Sequence, residues 1–276
     1  MKKFIGCILF ALVALGANAG QVVYVSSFNE PWNLPGNVNS LNDVFGAGNW
    51  GRELFASVAQ NNVLQSGGMG DFVFIDGGDG ATAEFESFVN TNRTLLETFV
   101  SGGGSLFINA ARWGGTSTFD LGFGVNLVAA GLGHSSTFNG TAVDPAHAIF
   151  TGPFGPTGSA WTGGTLSHDF VTGAGLTNLM IDSYGRATLA EMGYGSGHVL
   201  FGGLTLPYFG GPDTRWSAGT GALHRNILRY AADPYVAPVL VPGGPAPVPV
   251  PAAAGLGLLG MGLVSALRRR KKSPEA

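Results

Sequence analysis

Asp76 and Asp79 stand three residues apart in Asp76-Gly77-Gly78-Asp79, directly after the apolar run Phe72-Val73-Phe74-Ile75. Two carboxylates at the C-terminal end of a strand could offer oxygens to Ca²⁺. The alternative is a strand-to-helix turn with Asp79 or Thr82 near the helix N-terminus, and the absence of EF-hand spacing favours it. His147, in Pro145-Ala146-His147-Ala148-Ile149, and the pair His168-Asp169 are the candidates for acid–base catalysis, because a histidine near a carboxylate can trade protons near neutrality. Neighbouring residues on a strand point to opposite faces, so adjacency alone does not pair His168 with Asp169. The five histidines, His134, His147, His168, His198 and His224, show neither HxH nor HExxH spacing, and no metal is expected. Ser135, Ser136 and Ser167 lack a G-x-S-x-G elbow, and Gly195-Ser196-Gly197 reads as a hairpin turn. Trp32, Trp50, Trp113, Trp161 and Trp216 could stack on the apolar faces of sugar rings, or could anchor the core and its loops.

Composition removes several other chemistries. The only cysteine is Cys7, inside the apolar opening segment, so the rest of the chain has no thiol for a disulfide, a metal or a nucleophile. Between Gly20 and Pro251 there are seven Arg, no Lys and sixteen acids, a formal net charge of −9. Such a body repels phosphate backbones, and no nucleic-acid partner is expected. Gly77-Gly78 and Gly102-Gly103-Gly104 lack the spacing of a dinucleotide fingerprint or P-loop, so no cofactor is expected either.

The elements that must carry these residues read as alternating strands and helices. Strands are predicted at 22–25, 71–76, 105–109, 125–129, 179–182, 188–192 and 199–201. Helical patterns cover 82–91 and 93–101, the latter stopped by the three glycines, and 221–232, where Leu223, Ile227, Leu228 and Ala231 share one face. Strand, helix, glycine stop and strand is the rhythm of a parallel sheet covered by helices.

The segments FVFIDGGDG (72–80), TLLETFVSGGGSLFINAA (94–111), DPAHAIFTGP (144–153) and GYGSGHVLFGGLTLP (193–207) resemble the class I glutamine amidotransferase-like family. That resemblance implies an α/β, flavodoxin-like three-layer sandwich with a mostly parallel sheet over residues 20–233. The family's nucleophilic Cys would follow the strand 105–109, where this chain reads Asn109-Ala110-Ala111-Arg112, so the resemblance implies fold and not glutaminase chemistry.

The ends read as addresses. Lys2-Lys3, the apolar stretch 4–15 and Ala17-Asn18-Ala19 make residues 1–19 an expected signal peptide, cleaved after Ala19. Residues 234–251 read as a proline-rich linker, 252–267 as an apolar transmembrane helix and 268–276 as a basic cytoplasmic tail. Val248-Pro249-Val250-Pro251-Ala252 followed by that layout resembles the PEP-CTERM sorting signals, VPLPA variant, of Gram-negative bacteria. The resemblance implies an exosortase-type processing enzyme as partner and a membrane contact through the C-terminal helix. The body would then lie outside the cytoplasmic membrane, or at the cell surface once the tail is processed. Three readings follow: a non-catalytic binding protein associated with extracellular polysaccharide, an extracytoplasmic hydrolase or lyase using Asp and His at strand ends, or a self-associating envelope protein.

Overall fold

Phe74 shows how the sheet is held. It stacks on Tyr24 of β1 (Val22–Ser26) and on Phe107 of β4 (Ser105–Asn109), with ring centroids 5.1 Å apart on both sides. The three rings share one register across β1, β3 (Phe72–Asp76) and β4, and each such pair contributes about 0.5–1.5 kcal/mol beyond the area it buries. Alternate residues of the same strands, Val23, Val25, Val73, Ile75, Leu106 and Ile108, are buried on the opposite face. Both faces of this part of the sheet are therefore covered, and its strands read as continuous apolar runs.

The structure is a computed structural model that describes residues 21–57, 64, 71–114, 116–130, 137–209 and 219–233. All of them fall within the compact unit Met1–Val236. The expected signal peptide with Ala17 and Ala19, His134, Ser135, Ser136, Trp216, the sorting motif Val248–Ala252 and everything else from 234 to 276 lie outside the described residues.

Helix α1 (Gly36–Phe45) connects β1 to the parallel edge strand β2 (Gly51–Leu54), and α2 (Thr82–Ser101) connects β3 to β4. The two helical patterns at 82–91 and 93–101 are one continuous helix. It closes on the expected glycines: Gly104 N–H donates to the Phe99 carbonyl across Gly103, whose φ is 113°. Helix α4 (Thr220–Ala231) lays Leu223, Ile227 and Leu228 into the core on the Phe74 face.

The expected flavodoxin-like, mostly parallel sandwich is corrected by the second half of the chain. Residues 118–202 form β5 (Thr118–Gly122), β6 (Val125–Ala129), β7 (Thr137–Ala142), β8 (Ala160–Ser167), β9 (Asp169–Gly173), β10 (Thr177–Ile181), β11 (Ala187–Tyr194) and β12 (Gly197–Gly202). The main path runs β2-β1-β3-β4-β12-β11-β10-β7-β8, and the antiparallel ribbon β5-β6-β9 joins it at β11. Among the described residues four strand pairings are parallel, β1·β2, β1·β3, β3·β4 and β4·β12; the other seven are antiparallel. The sheet is mixed, and the cause is loop length. A parallel return needs a crossover of about a dozen residues, whereas β5–β6 and β11–β12 are joined by two residues each. Phe123 (φ 59°) and Gly124 (φ 73°) make the first of these turns, the hand that suits a tight hairpin. The one helix among the described residues of this half, α3 (Ala148–Thr151), is a single turn.

The expected transmembrane helix is also corrected. No helix among the described residues is long and apolar enough to cross a membrane. Residues 252–267 themselves lie outside the described residues.

Candidate functional site

The parallel strands end together, and their C-terminal connections, with the end of the antiparallel strand β8, bound a cleft of about 310 Å³ lined by Trp32, Asp79, Trp113, Thr165, His168, Thr205 and Tyr208. Ligands of open α/β sheets sit outside the carboxyl ends of strands for the same geometric reason: the connections there converge. Trp32 rides on the 3-10 turn Pro31–Asn33 after β1 and has φ 55°, a left-handed conformation that costs a bulky residue about 1–3 kcal/mol. Its backbone N–H donates to Asp79 Oδ2 at 2.9 Å, which holds the turn against the loop after β3. Asp79 itself has φ 54°. Beneath the indole, Gly78 is tightly packed: a Cβ there would lie 3.2 Å from both Trp32 and Asp76 Oδ1, so these neighbours would have to give by a few tenths of an ångström.

The opposite wall comes from the connection after β4 and from the single residue between β8 and β9. Trp113, 51% exposed, follows Arg112, and His168 separates the two strands. His168 lies between two indoles, 5.8 Å from Trp32 at 86° and 5.2 Å from Trp113 at 49°, and its Nδ1 is 3.3 Å from the Arg112 carbonyl. Tyr208, in the segment after β12, tilts against Trp32 at 5.2 Å. The result is an aromatic recess with the Asp79 carboxylate and Thr165 in its lining and Thr205 buried behind it, its hydroxyl donating to the Thr165 carbonyl at 2.6 Å.

Arg112 and Asp169 fasten this wall. The Arg112 guanidinium reaches Asp169 Oδ1 at 2.7 Å and Glu86 Oε1 at 2.7 Å, and the Arg112 backbone N–H donates to Asp169 Oδ2 at 2.7 Å. Burial pushes the Asp169 carboxyl above its ordinary value, and the Arg112 charge beside it works in the other direction. Asp169, the first residue of β9, thus turns to Arg112, while His168, just before the strand, lines the cleft. The Ser167 hydroxyl is bonded to the Asp169 carbonyl.

Asp76 stands one layer deeper. It is fully buried and accepts from Asn37 Nδ2 at 2.7 Å and from the Gly78 N–H at 2.9 Å. Asn37 also donates to the Tyr24 hydroxyl, which donates to Glu30, itself paired with Arg52 at 3.0 Å. Burial pushes the Asp76 carboxyl up to about 7, and burial raises Glu30 as well. Among the described residues no group of three or more acids, histidines or cysteines is set to hold a metal ion.

His147 is elsewhere. It caps α3, its Nδ1 accepting from the Ile149 N–H, and its Nε2 faces Glu191 Oε1 at 3.6 Å. His198, near the start of β12, approaches Glu191 Oε2 at 2.9 Å, and Tyr230 donates to the same oxygen at 2.8 Å. A ring whose Nδ1 accepts a backbone N–H carries its proton on Nε2, so His147 is a donor to Glu191 and not a metal ligand. Burial works to raise the Glu191 carboxyl, but these donors outweigh it and hold it at about 2. A carboxyl depressed from 4.5 stabilises the fold fully above that pH and loses the contribution as pH falls toward 2. Glu191→Gln is expected to lower stability by about 2–3 kcal/mol at neutral pH and by much less near pH 3, read from urea unfolding at the two pH values. Equal losses at both would contradict this.

The structure therefore brings Asp79 and His168 to one cleft with Trp32 and Trp113. It puts Asp76 behind them, commits Asp169 to Arg112 and leaves His147 with Glu191. Trp161 is buried in the core, and Trp50 anchors on Asn42 and Tyr24. Tyr208, Thr165 and Thr205 were not singled out in the sequence, and nothing around them marks them apart from the tyrosine beside a proline. The Glu191 cluster draws on three distant segments and has no local signature.

No family model matches the chain, and no curated protein matches it. Solved structures resemble it weakly. A β-galactosidase from Bacillus circulans sp. alkalophilus is 12% identical with a TM-score of 0.44, over 78% of this chain and 31% of that one. A β-galactosidase from Rahnella sp. R3 is 14% identical with a TM-score of 0.40, over 77% and 30%. A ThuA-like protein from Bacteroides uniformis is 8% identical with a TM-score of 0.45, over 78% and 92%. The chain spans less than a third of the two β-galactosidases, and no property of these proteins transfers to it on such likeness.

Proposed function

We propose that this chain is an exported, non-catalytic binding protein of the cell envelope that holds a sugar ring of an extracellular polysaccharide in the Trp32–Trp113 cleft. The observation that carries the reading is the recess itself: Trp32, Trp113, Tyr208 and His168 around one opening, with Asp79 and Thr165 in the lining. Indole faces cover the apolar C–H faces of a pyranose, while a carboxylate oxygen bonds its hydroxyls. Export and tail sorting rest on Ala17-Asn18-Ala19 and Val248–Ala252.

Binding is favoured over turnover by the supply of carboxylates. Glycoside hydrolysis ordinarily uses two, placed on either side of the scissile bond. Asp79 is the single carboxylate among the described residues lining the cleft, Asp169 is spent on Arg112, and Asp76 is fully buried. His147, His168 and Asp76 do not converge on one space, which a hydrolase built on those three would require.

Trp113→Ala is expected to leave the thermal midpoint nearly unchanged, because this side chain is half exposed, and to weaken oligosaccharide binding by about tenfold or more. Calorimetric titration of the wild type and the variant against a panel of neutral, amine-bearing and acidic oligosaccharides reads both quantities. Wild-type affinity that survives the substitution undiminished would remove the cleft from the reading.

A further inference from the structure

Asp79 is the one formally charged side chain among the described residues of the cleft, and its surroundings leave half of it available. Oδ2 accepts from the Trp32 N–H at 2.9 Å, and Oδ1 has no hydrogen-bond partner among the described residues. The remaining lining consists of two indoles, a phenol, an imidazole and two hydroxyls. Aromatic faces attract cations, and a carboxylate beside them adds a full charge. No guanidinium or ammonium is among the described lining residues. Among the described residues, Arg52 is paired with Glu30 at 3.0 Å, Arg93 with Asp120 at 3.2 Å, Arg112 with Asp169 and Glu86 at 2.7 Å, Arg186 with Asp182 at 2.7 Å and Arg225 with Asp43 at 3.2 Å. The surrounding body has sixteen acids and no lysine between Gly20 and Pro251. Such a field draws cationic polymers toward the cleft and repels uronate-bearing ones.

We infer that the sugar held here carries a free amine, a 2-amino-2-deoxyhexose unit whose ammonium faces Asp79 while Trp32 and Trp113 cover the ring. The inference rests on the saccharide reading above and narrows it to one ligand charge. N-acetylation removes the positive charge and adds bulk where Asp79 would meet it, and a uronate reverses the charge.

The test uses the full chain and three defined probes at about pH 6, where such an amine is protonated: a β-1,4-linked glucosamine trimer, its fully N-acetylated counterpart and a galacturonic acid trimer. Calorimetry is expected to show the amine trimer bound about tenfold or more tighter than the acetylated one, with a preference that shrinks as salt rises, and no uronate binding. Asp79→Asn is expected to bring the two affinities together. Asparagine tolerates the left-handed backbone at this position and can still accept from the Trp32 N–H, so the turn is preserved, and thermal unfolding verifies it. Equal or better binding of the acetylated trimer by the wild type overturns the amine inference and leaves the saccharide reading in place. A preference for the amine that Asp79→Asn does not reduce overturns the role of Asp79. Failure of the wild type to bind any of the three overturns the amine inference, and failure to bind any member of the wider panel of neutral, amine-bearing and acidic oligosaccharides overturns the saccharide reading as well.

Discussion

Replacing Arg112 with alanine is expected to lower stability by about 3–5 kcal/mol, because it leaves the Asp169 carboxylate buried without its partner. Both side chains of that pair are only 1% exposed, so water cannot replace the lost guanidinium. Glu86 loses its ion pair and the Leu127 carbonyl its donor in the same stroke. The damage reaches the cleft, since Arg112 precedes Trp113 and its carbonyl meets His168. Sugar affinity is expected to fall even below the unfolding temperature. Urea unfolding measures the first effect, and titration at low temperature the second. A double-mutant cycle with Asp169→Asn separates the pair from its surroundings: strongly non-additive losses are expected, and simple additivity would mean that the two residues do not act as one clamp.

Asp76 governs the second large effect, and its sign is opposite to that of an ordinary ion-paired carboxylate. Its folded value of about 7 exceeds the ordinary 3.8, so between those limits the native state binds the proton more readily than the unfolded chain. Its contribution favours folding at low pH and is lost as pH rises from about 4 to 8, by up to about 4 kcal/mol. Asp76→Asn is expected to flatten that part of the stability profile and to leave the variant the more stable form at pH 8. The buried Asn37 Oδ1, without a partner among the described residues, can be turned to accept from the new amide. Urea midpoints across this pH range decide the matter. Parallel profiles for wild type and variant would show that Asp76 is ionised throughout and held by more than its present donors.

The first half of the chain was legible because its elements announce themselves locally. Phe72–Asp76 and Ser105–Asn109 are apolar runs flanked by glycines, and Gly102-Gly103-Gly104 stops the helix between them. Helix α1 escaped because its sequence, Gly-Asn-Val-Asn-Ser-Leu-Asn, is poor in helix formers and is set by what it packs against. The antiparallel half is less legible because strand segments such as Thr137–Ala142 and Ala160–Ser167 carry internal glycines, and alternation does not state which neighbour a strand chooses. For the cleft, residue type was informative and position was not: Asp79, His168, Trp32 and Trp113 stood out as chemistry-bearing residues. Their meeting depends on which connections the sheet topology brings side by side.

The cleft draws its walls from segments as far apart as Trp32 and Tyr208, and no stretch of chain holds enough of it to retain a ligand after the sheet comes apart. On the proposed saccharide reading, unfolded chain and bound sugar are mutually exclusive, so occupancy would stabilise the whole unit by RT ln(1 + [L]/Kd), about 2.7 kcal/mol at a hundredfold excess over Kd. A melting curve recorded with increasing oligosaccharide becomes a ligand screen, with the entire fold acting as the reporter.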